Sequence, residues 1–269
     1  MDVVKMATDL MGSRREHVDK ARAQLEAWRD DLREIRDMPV LTINLMLKRT
    51  VDNDPYYRDL TLSWYEEATA RHPKLKLIRN LEWGAAVAIL PRTHEEYFMY
   101  IEAAARRNFK KAQRANYRFA PFESKDHLDG IREVRQSTDV RQGKKVPDEM
   151  MYGELEAAKD PKSRNHFHGY PYYGVFHEDK LVAYSSCFVA GEVCALEHIL
   201  GHADYQSDGI VPMMLIGIAE DLYKNHPAVR YFMYGTYFGA ATKMRRFKKK
   251  FRFFPHRVHW KLDARETSV

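Results

Sequence analysis

The stretch from Tyr170 to Leu262 limits the possible folds more than any other part of the chain. Apolar runs of strand length occupy Tyr172 to His177, Leu181 to Val189, Val193 to Leu200 and Tyr231 to Tyr234, and a last one lies within Phe251 to Leu262. The polar turns His177-Glu-Asp-Lys180 and Ala190-Gly-Glu192 join the first three. A loop containing Gln206 to Gly209 follows the third, and then an apolar helical run from about Val211 to Asn225. Pro212 suits the first turn of that helix, where a missing amide costs nothing. A short helix is expected from Ala240. A hairpin followed by strand, loop, helix, strand, short helix and strand predicts an α/β (α+β) fold with a mixed, mostly antiparallel sheet flanked by helices.

The upstream residues extend this core. Ser13-Arg-Arg-Glu16 reads as a capping box. Val18, Ala21, Leu25, Trp28, Leu32 and Ile35 then recur at steps of three and four, which predicts an N-terminal amphipathic helix over 1–38, ended by Pro39. Its narrow seam suits packing on its own domain, and a homodimer through it is left open. Over 39–125 the pattern predicts a helix near Tyr56 to Thr69 and strands at Leu75 to Ile78 and Ala85 to Leu90. A second capping box, Thr93-His-Glu-Glu96, opens a helix running to about Asn116, followed by a strand at Tyr117 to Phe122. Within 126–269, a helix is expected over Lys125 to Thr138. Residues 139 to 169 read as a polar substrate loop with one helical patch near Met150 to Ala158.

Charge narrows the partners. The 269 residues carry a formal net charge of +6, which favours an anionic partner. The positive charge is clustered. Arg107, Lys110, Lys111 and Arg114 crowd the end of one helix, more than its dipole needs. Lys243, Arg246, Lys248 and Lys249 belong to a second acid-free run interleaved with Phe247, Phe251, Phe253 and Phe254. With the phenylalanines anchoring this segment, its cations are expected to face outward and attract phosphates or a nucleic acid, tRNA or DNA. Cys187 and Cys194 lack the spacing of a metal or redox pair and read as reduced thiols. No bilayer-spanning run or secretory signal is evident, so a cytoplasmic protein without a membrane partner is expected. His166, His168, His198 and His202 do not form a metal pattern, and no metal is expected.

Helix N-termini attract phosphates, because their first amides lack acceptors. Gln206, Ser207, Asp208, Gly209, Ile210 and Val211 lead into such a terminus, and Gly209 can take the positive φ that lets a phosphate approach the backbone. Glu197 is a carboxylate within an apolar strand, where burial would raise its pKa towards that of a general base. Strand alternation sends the adjacent His198 to the opposite face, so only one of the two is expected to face a donor.

The chain from 170 to 262 resembles the core of the GNAT acetyltransferase superfamily. Its pyrophosphate loop carries Arg or Gln, two residues, Gly, one residue, then Gly or Ala; Gln206 and Gly209 match and Val211 departs. Arg107-Asn-Phe-Lys-Lys-Ala-Gln-Arg-Ala115 and Phe247-Lys-Lys-Lys-Phe251 with Pro255 resemble two segments of the FemAB-like (FemX-type) transferases. The resemblance implies a GNAT-like acyltransferase core over 126–269, with a partial second GNAT-like lobe over 39–125 left open. It implies an enzyme that moves an acyl group from acetyl-CoA or another acyl-CoA to an amine, or alternatively an aminoacyl group from aminoacyl-tRNA. Glu197 would be the base, and Tyr234 and Tyr237 lie where the GNAT family often places an acid. The rival reading is a non-catalytic nucleic-acid-binding protein that keeps the fold.

Overall fold

The computed structural model describes residues 33, 35–50, 55–72, 79–141, 144–155, 165–238 and 240–263. The chain divides into two compact units, Met1–Pro39 and Val40–Val269. In the first, residues 33, 35 and 36 are helical; the rest of the expected N-terminal helix, with its capping box, lies outside the described residues. So does the expected strand at Leu75 to Ile78.

The second unit begins with β1 (Val40–Asn44), α1 (Pro55–Thr69), β2 (Trp83–Ile89), α2 (His94–Tyr100), α3 (Ala103–Arg114), β3 (Tyr117–Phe122) and α4 (Leu128–Gln136). A small hairpin, β4 (Val140–Arg141) and β5 (Lys144–Lys145), and the short α5 (Asp148–Tyr152) follow. The remainder is β6 (His168–Gly169), β7 (Tyr172–His177), β8 (Lys180–Ala190), β9 (Val193–Gly201), α6 (Ile210–Asn225), β10 (Tyr231–Thr236), α7 (Thr242–Lys250) and β11 (Phe254–Lys261).

A nine-stranded sheet runs in the order β1-β11-β2-β10-β9-β8-β7-β3, with β6 paired to β8. β1 with β11 and β9 with β10 are parallel, and the other pairs are antiparallel. The mixed, mostly antiparallel sheet expected from the hairpin pattern is therefore present. The segment 39–125 contributes β1, β2 and β3 to this same sheet, with β2 inserted between β10 and β11.

α6 is apolar on nearly every side and packs on one face of the sheet with α2 and α3. On the other face, Trp64 and Ala68 of α1 pack with Phe188, Met233 and Trp260, while Ile131 and Val134 of α4 pack with Tyr184 and Leu200. The helix expected from Thr93 to Asn116 is two helices. Ile101 and Glu102 between them have extended backbone, with ψ of 158° and 145°. Arg106 fills the break, donating to the carbonyls of Met99 (2.6 Å) and Ile101 (2.7 Å).

The expected cap at Thr93 forms. Its hydroxyl accepts from Glu96 N–H at 3.2 Å, and the Glu96 carboxylate reaches back to Arg92 N–H at 3.0 Å. Thr93→Ala is expected to lower stability by about 1 kcal/mol, measured by urea denaturation, because the first turn loses its side-chain acceptor.

Candidate active site

The parallel strands β9 and β10 separate part-way along. They pair at Val193–Tyr231, Cys194–Phe232 and Ala195–Met233, and the pairing then ends. Two irregularities drive them apart. β9 holds an extra residue against β8, because Cys187 faces Leu196 while Ser186 already faces His198, leaving Glu197 as the bulge. β10 shifts register against β2 between Met233 and Thr236, where Gly235 turns the chain at φ 54°.

The gap opens into a cavity of about 800 Å³, bounded by Ile199, Leu200 and Gly201 of β9, Tyr234 of β10, Gly209 and Val211 at the start of α6, and Lys243 and Phe247 of α7. Ile210 and Val211 supply the first N–H groups of α6; Met213 N–H is the first to bond back, to Gly209 O at 2.9 Å. No side chain caps this end. The residues before Gly209, Ala203–Asp208, form a 3₁₀ helix rather than an open loop. Gln206, Ser207, Gly209 and Val211 line the cavity, and Ile210 is buried behind them. Asp208 turns away: Tyr117 Oη donates to its Oδ2 at 2.8 Å and Lys111 Nζ to its Oδ1 at 3.1 Å. These bonds, the one from Tyr117 foremost, hold its carboxyl below the usual pKa. Lys111 also donates to Ser207 O at 2.8 Å, so it braces the loop from behind instead of standing free.

Arg107, Lys110 and Arg114 on α3, and Lys243 and Arg246 on α7, are exposed. Lys249 is half-buried, 5.6 Å from the centre of the Tyr237 ring. Lys248 does not face outward as expected. It is 5% exposed and donates to Tyr234 O (2.6 Å) and Thr236 O (2.8 Å), because the register break in β10 leaves those carbonyls in need of donors.

The three candidate catalytic residues separate. Tyr234 lines the cavity, and burial pushes its hydroxyl up to about 12. Tyr237 is 1% exposed within the main core cluster and is not among the cavity's lining residues. Glu197 lies on the α1 side of the sheet, where Trp64 Nε1 donates to its Oε1 at 3.2 Å. Crowding by protein raises its pKa, the Trp64 bond opposes this, and the Glu67 charge adds to the rise. The residue is nevertheless exposed.

The expected alternation fails at the bulge: His198 is on the same face as Glu197. Its Nδ1 lies 3.2 Å from Ser186 Oγ, and burial lowers its pKa. Two further residues carried no sequence signal. Trp64 orients Glu197, and Arg141 lines the cavity while donating to Gly201 O (3.0 Å), Val134 O (2.7 Å) and Ser137 Oγ (3.3 Å). Among the described residues, no cluster of His, Cys, Asp or Glu could hold a metal, and no helix is long and apolar enough to cross a membrane.

The fold has counterparts among solved structures. FemX superposes with a TM-score of 0.51 at 9% identity, over 80% of this chain and 69% of FemX. The fold is GNAT/FemAB-like. L-PGS from Bacillus licheniformis is also similar (TM-score 0.41, 13% identity, 65% of this chain), and this chain spans 58% of its length. The ribosomal-protein-S18-alanine N-acetyltransferase from Escherichia coli matches 49% of this chain and 75% of its own, at 15% identity and a TM-score of 0.36. No protein-family profile matches the sequence, and no curated protein is significantly similar to it. Within the GNAT/FemAB-like fold, the parted strands and the uncapped helix end come together at one cavity.

Proposed function

We propose that the protein is an N-acyltransferase that takes an acyl group from an acyl-CoA, acetyl-CoA above all, and delivers it to an amine. One observation carries this reading: the uncapped N-terminus of α6 opens into the 800 Å³ cavity between β9 and β10. The donor's phosphates would rest on the Ile210 and Val211 amides, favoured by the helix dipole. The thioester would reach along β9 towards the bulge. The amine, arriving from the α1 side, bonds to the carbonyl carbon as the C–S bond breaks. Its proton passes to Glu197, and the departing thiolate takes a proton from the hydroxyl of Tyr234, which lines the cavity.

A second reading, an aminoacyl-tRNA donor, is favoured by the exposed cations of α3 and α7, since Asn108 of α3 and Lys243 of α7 both line the cavity. Calorimetric titration with CoA, acetyl-CoA and charged tRNA at two salt concentrations separates the two. An acyl-CoA donor should bind with a shallow salt dependence. A tRNA donor should bind with a steep one, losing at least tenfold between about 50 and 200 mM salt. Tight tRNA binding without turnover of any donor would leave a nucleic-acid-binding protein, and binding of neither would refute both donor readings.

A further inference from the structure

β9 lies in the middle of the sheet, where both faces are normally covered. Glu197 and His198 are nevertheless exposed, and Tyr170, Tyr172 and Tyr56 beside them are only partly buried. Among the described residues, the face is therefore open between α1 and α4. The charges around this opening are sorted by sign. At one end stand Glu197 and Glu67, close enough for the Glu67 charge to act on Glu197. Neither makes an ion pair with a described residue. At the other end stands Arg135 of α4. Its Nε donates to Tyr184 Oη at 2.8 Å, its charge acts on His198 and Tyr172, and it too has no carboxylate partner among the described residues.

Between the two ends run His198, Ser186 and Tyr170, and the rings of Tyr170 and Tyr172 lie 5.9 Å apart. Tyr184 and Ser186, which hold Arg135 and His198, are two residues apart on β8, roughly 7 Å. Among the described residues, exposed carboxylates at one end of this opening and a half-buried guanidinium at the other leave each other unpaired, which fits a ligand carrying both opposite charges.

We infer that this opening is the acceptor subsite and that the acceptor is a zwitterion of the amino-acid class. Its ammonium lies against Glu197 and Glu67, its carboxylate lies against Arg135, and its side chain rests on the tyrosine rings. The assignment rests on the acyltransferase reading for the word acceptor, but the binding it predicts does not need the donor.

Three matched probes test it by calorimetry on the full chain: L-phenylalanine, phenethylamine and 3-phenylpropionate. L-phenylalanine should bind at least tenfold more tightly than either singly charged analogue. Glu197→Gln should erase its advantage over 3-phenylpropionate and leave its advantage over phenethylamine. Arg135→Gln should do the reverse, and Arg135→Lys should restore the wild-type pattern. A general loss of packing would weaken all three probes together and could not produce this crossed pattern. Equal affinities, no binding, or variants that weaken every probe alike would overturn the inference. CoA is titrated separately: amino-acid binding without CoA binding removes the acyl-CoA reading alone, and CoA binding without charge discrimination removes the zwitterion alone.

Discussion

Replacing Gly209 by alanine is expected to cost about 3 kcal/mol of stability and to weaken donor binding at least tenfold. Gly209 stands at φ 87° and ψ 22°, a left-handed conformation that costs a residue with a Cβ about 1 kcal/mol or more. The larger part of the cost is steric. A Cβ there would lie 2.3 Å from Asn108 O and 2.9 Å from Asn108 C, which are backbone atoms of α3 and cannot rotate aside. Nor can the loop retreat, because Lys111 and Tyr117 tie it to that helix and to β3 through Ser207 and Asp208. Either α3 or the start of α6 must move, and the helix end that borders the cavity is displaced. A melting temperature lower by roughly 10 °C is the expected scale for a chain of this size.

Stability and affinity can be separated. Lys111→Met removes an exposed ion pair worth at most about 1 kcal/mol, yet it frees the loop. It should lower donor affinity several-fold with little change in melting. Calorimetry and thermal melts on both variants decide the point: if Gly209→Ala melts early but binds its donor as before, the loop does not hold the donor.

The sequence reveals more of the fold than of the site. Strands and helices here follow local patterns: β7, β8 and β9 lie where the apolar runs and polar turns put them, and Thr93 caps α2 as its spacing implies. What it does not reveal depends on partners distant in the chain. The bulge at Glu197 exists only relative to β8, so the alternation rule puts His198 on the wrong face. The break at Ile101–Glu102 has no proline or glycine to announce it, and it is sustained by Arg106, which otherwise reads as one more surface cation. Arg141 sits in a stretch without periodicity, and its importance comes from the end of β9, sixty residues on. Tyr237 has the right place in the chain for a catalytic acid, but its ring is taken into the core. Lys248 is indistinguishable by composition from its neighbours Lys249 and Lys250.

Lys248 therefore makes the sharper test of how the cavity is held open. Its ammonium joins α7 to the two β10 carbonyls that flank Gly235, and it lies 4.6 Å from the centre of the Tyr234 ring. In Lys248→Met the side chain keeps its bulk and loses its donors. Two carbonyls at the end of β10 are then left without them, at about 1–3 kcal/mol each. A loss of about 3 kcal/mol at pH 7 is expected, and a weaker donor affinity with it, because Tyr234 lines the cavity.

The pH dependence identifies the cause. Burial lowers the lysine from 10.5 to about 8 in the folded chain. Below pH 8 both folded and unfolded chains hold this proton, and the folded chain bears the full cost of burying it. Between pH 8 and 10.5 the folded chain has released the proton while the unfolded chain still binds it, so this group's contribution to stability rises with pH across that window. The neutral amine can still donate to both carbonyls. The gap in unfolding free energy between wild type and Lys248→Met should accordingly widen from pH 8 to 10.5, by an amount on the order of 3 kcal/mol. Urea denaturation of both proteins at half-unit steps measures this directly. A gap that stays constant or narrows would mean that Lys248 is not buried as an ammonium between Tyr234 and Thr236, and that something else props the two strands apart.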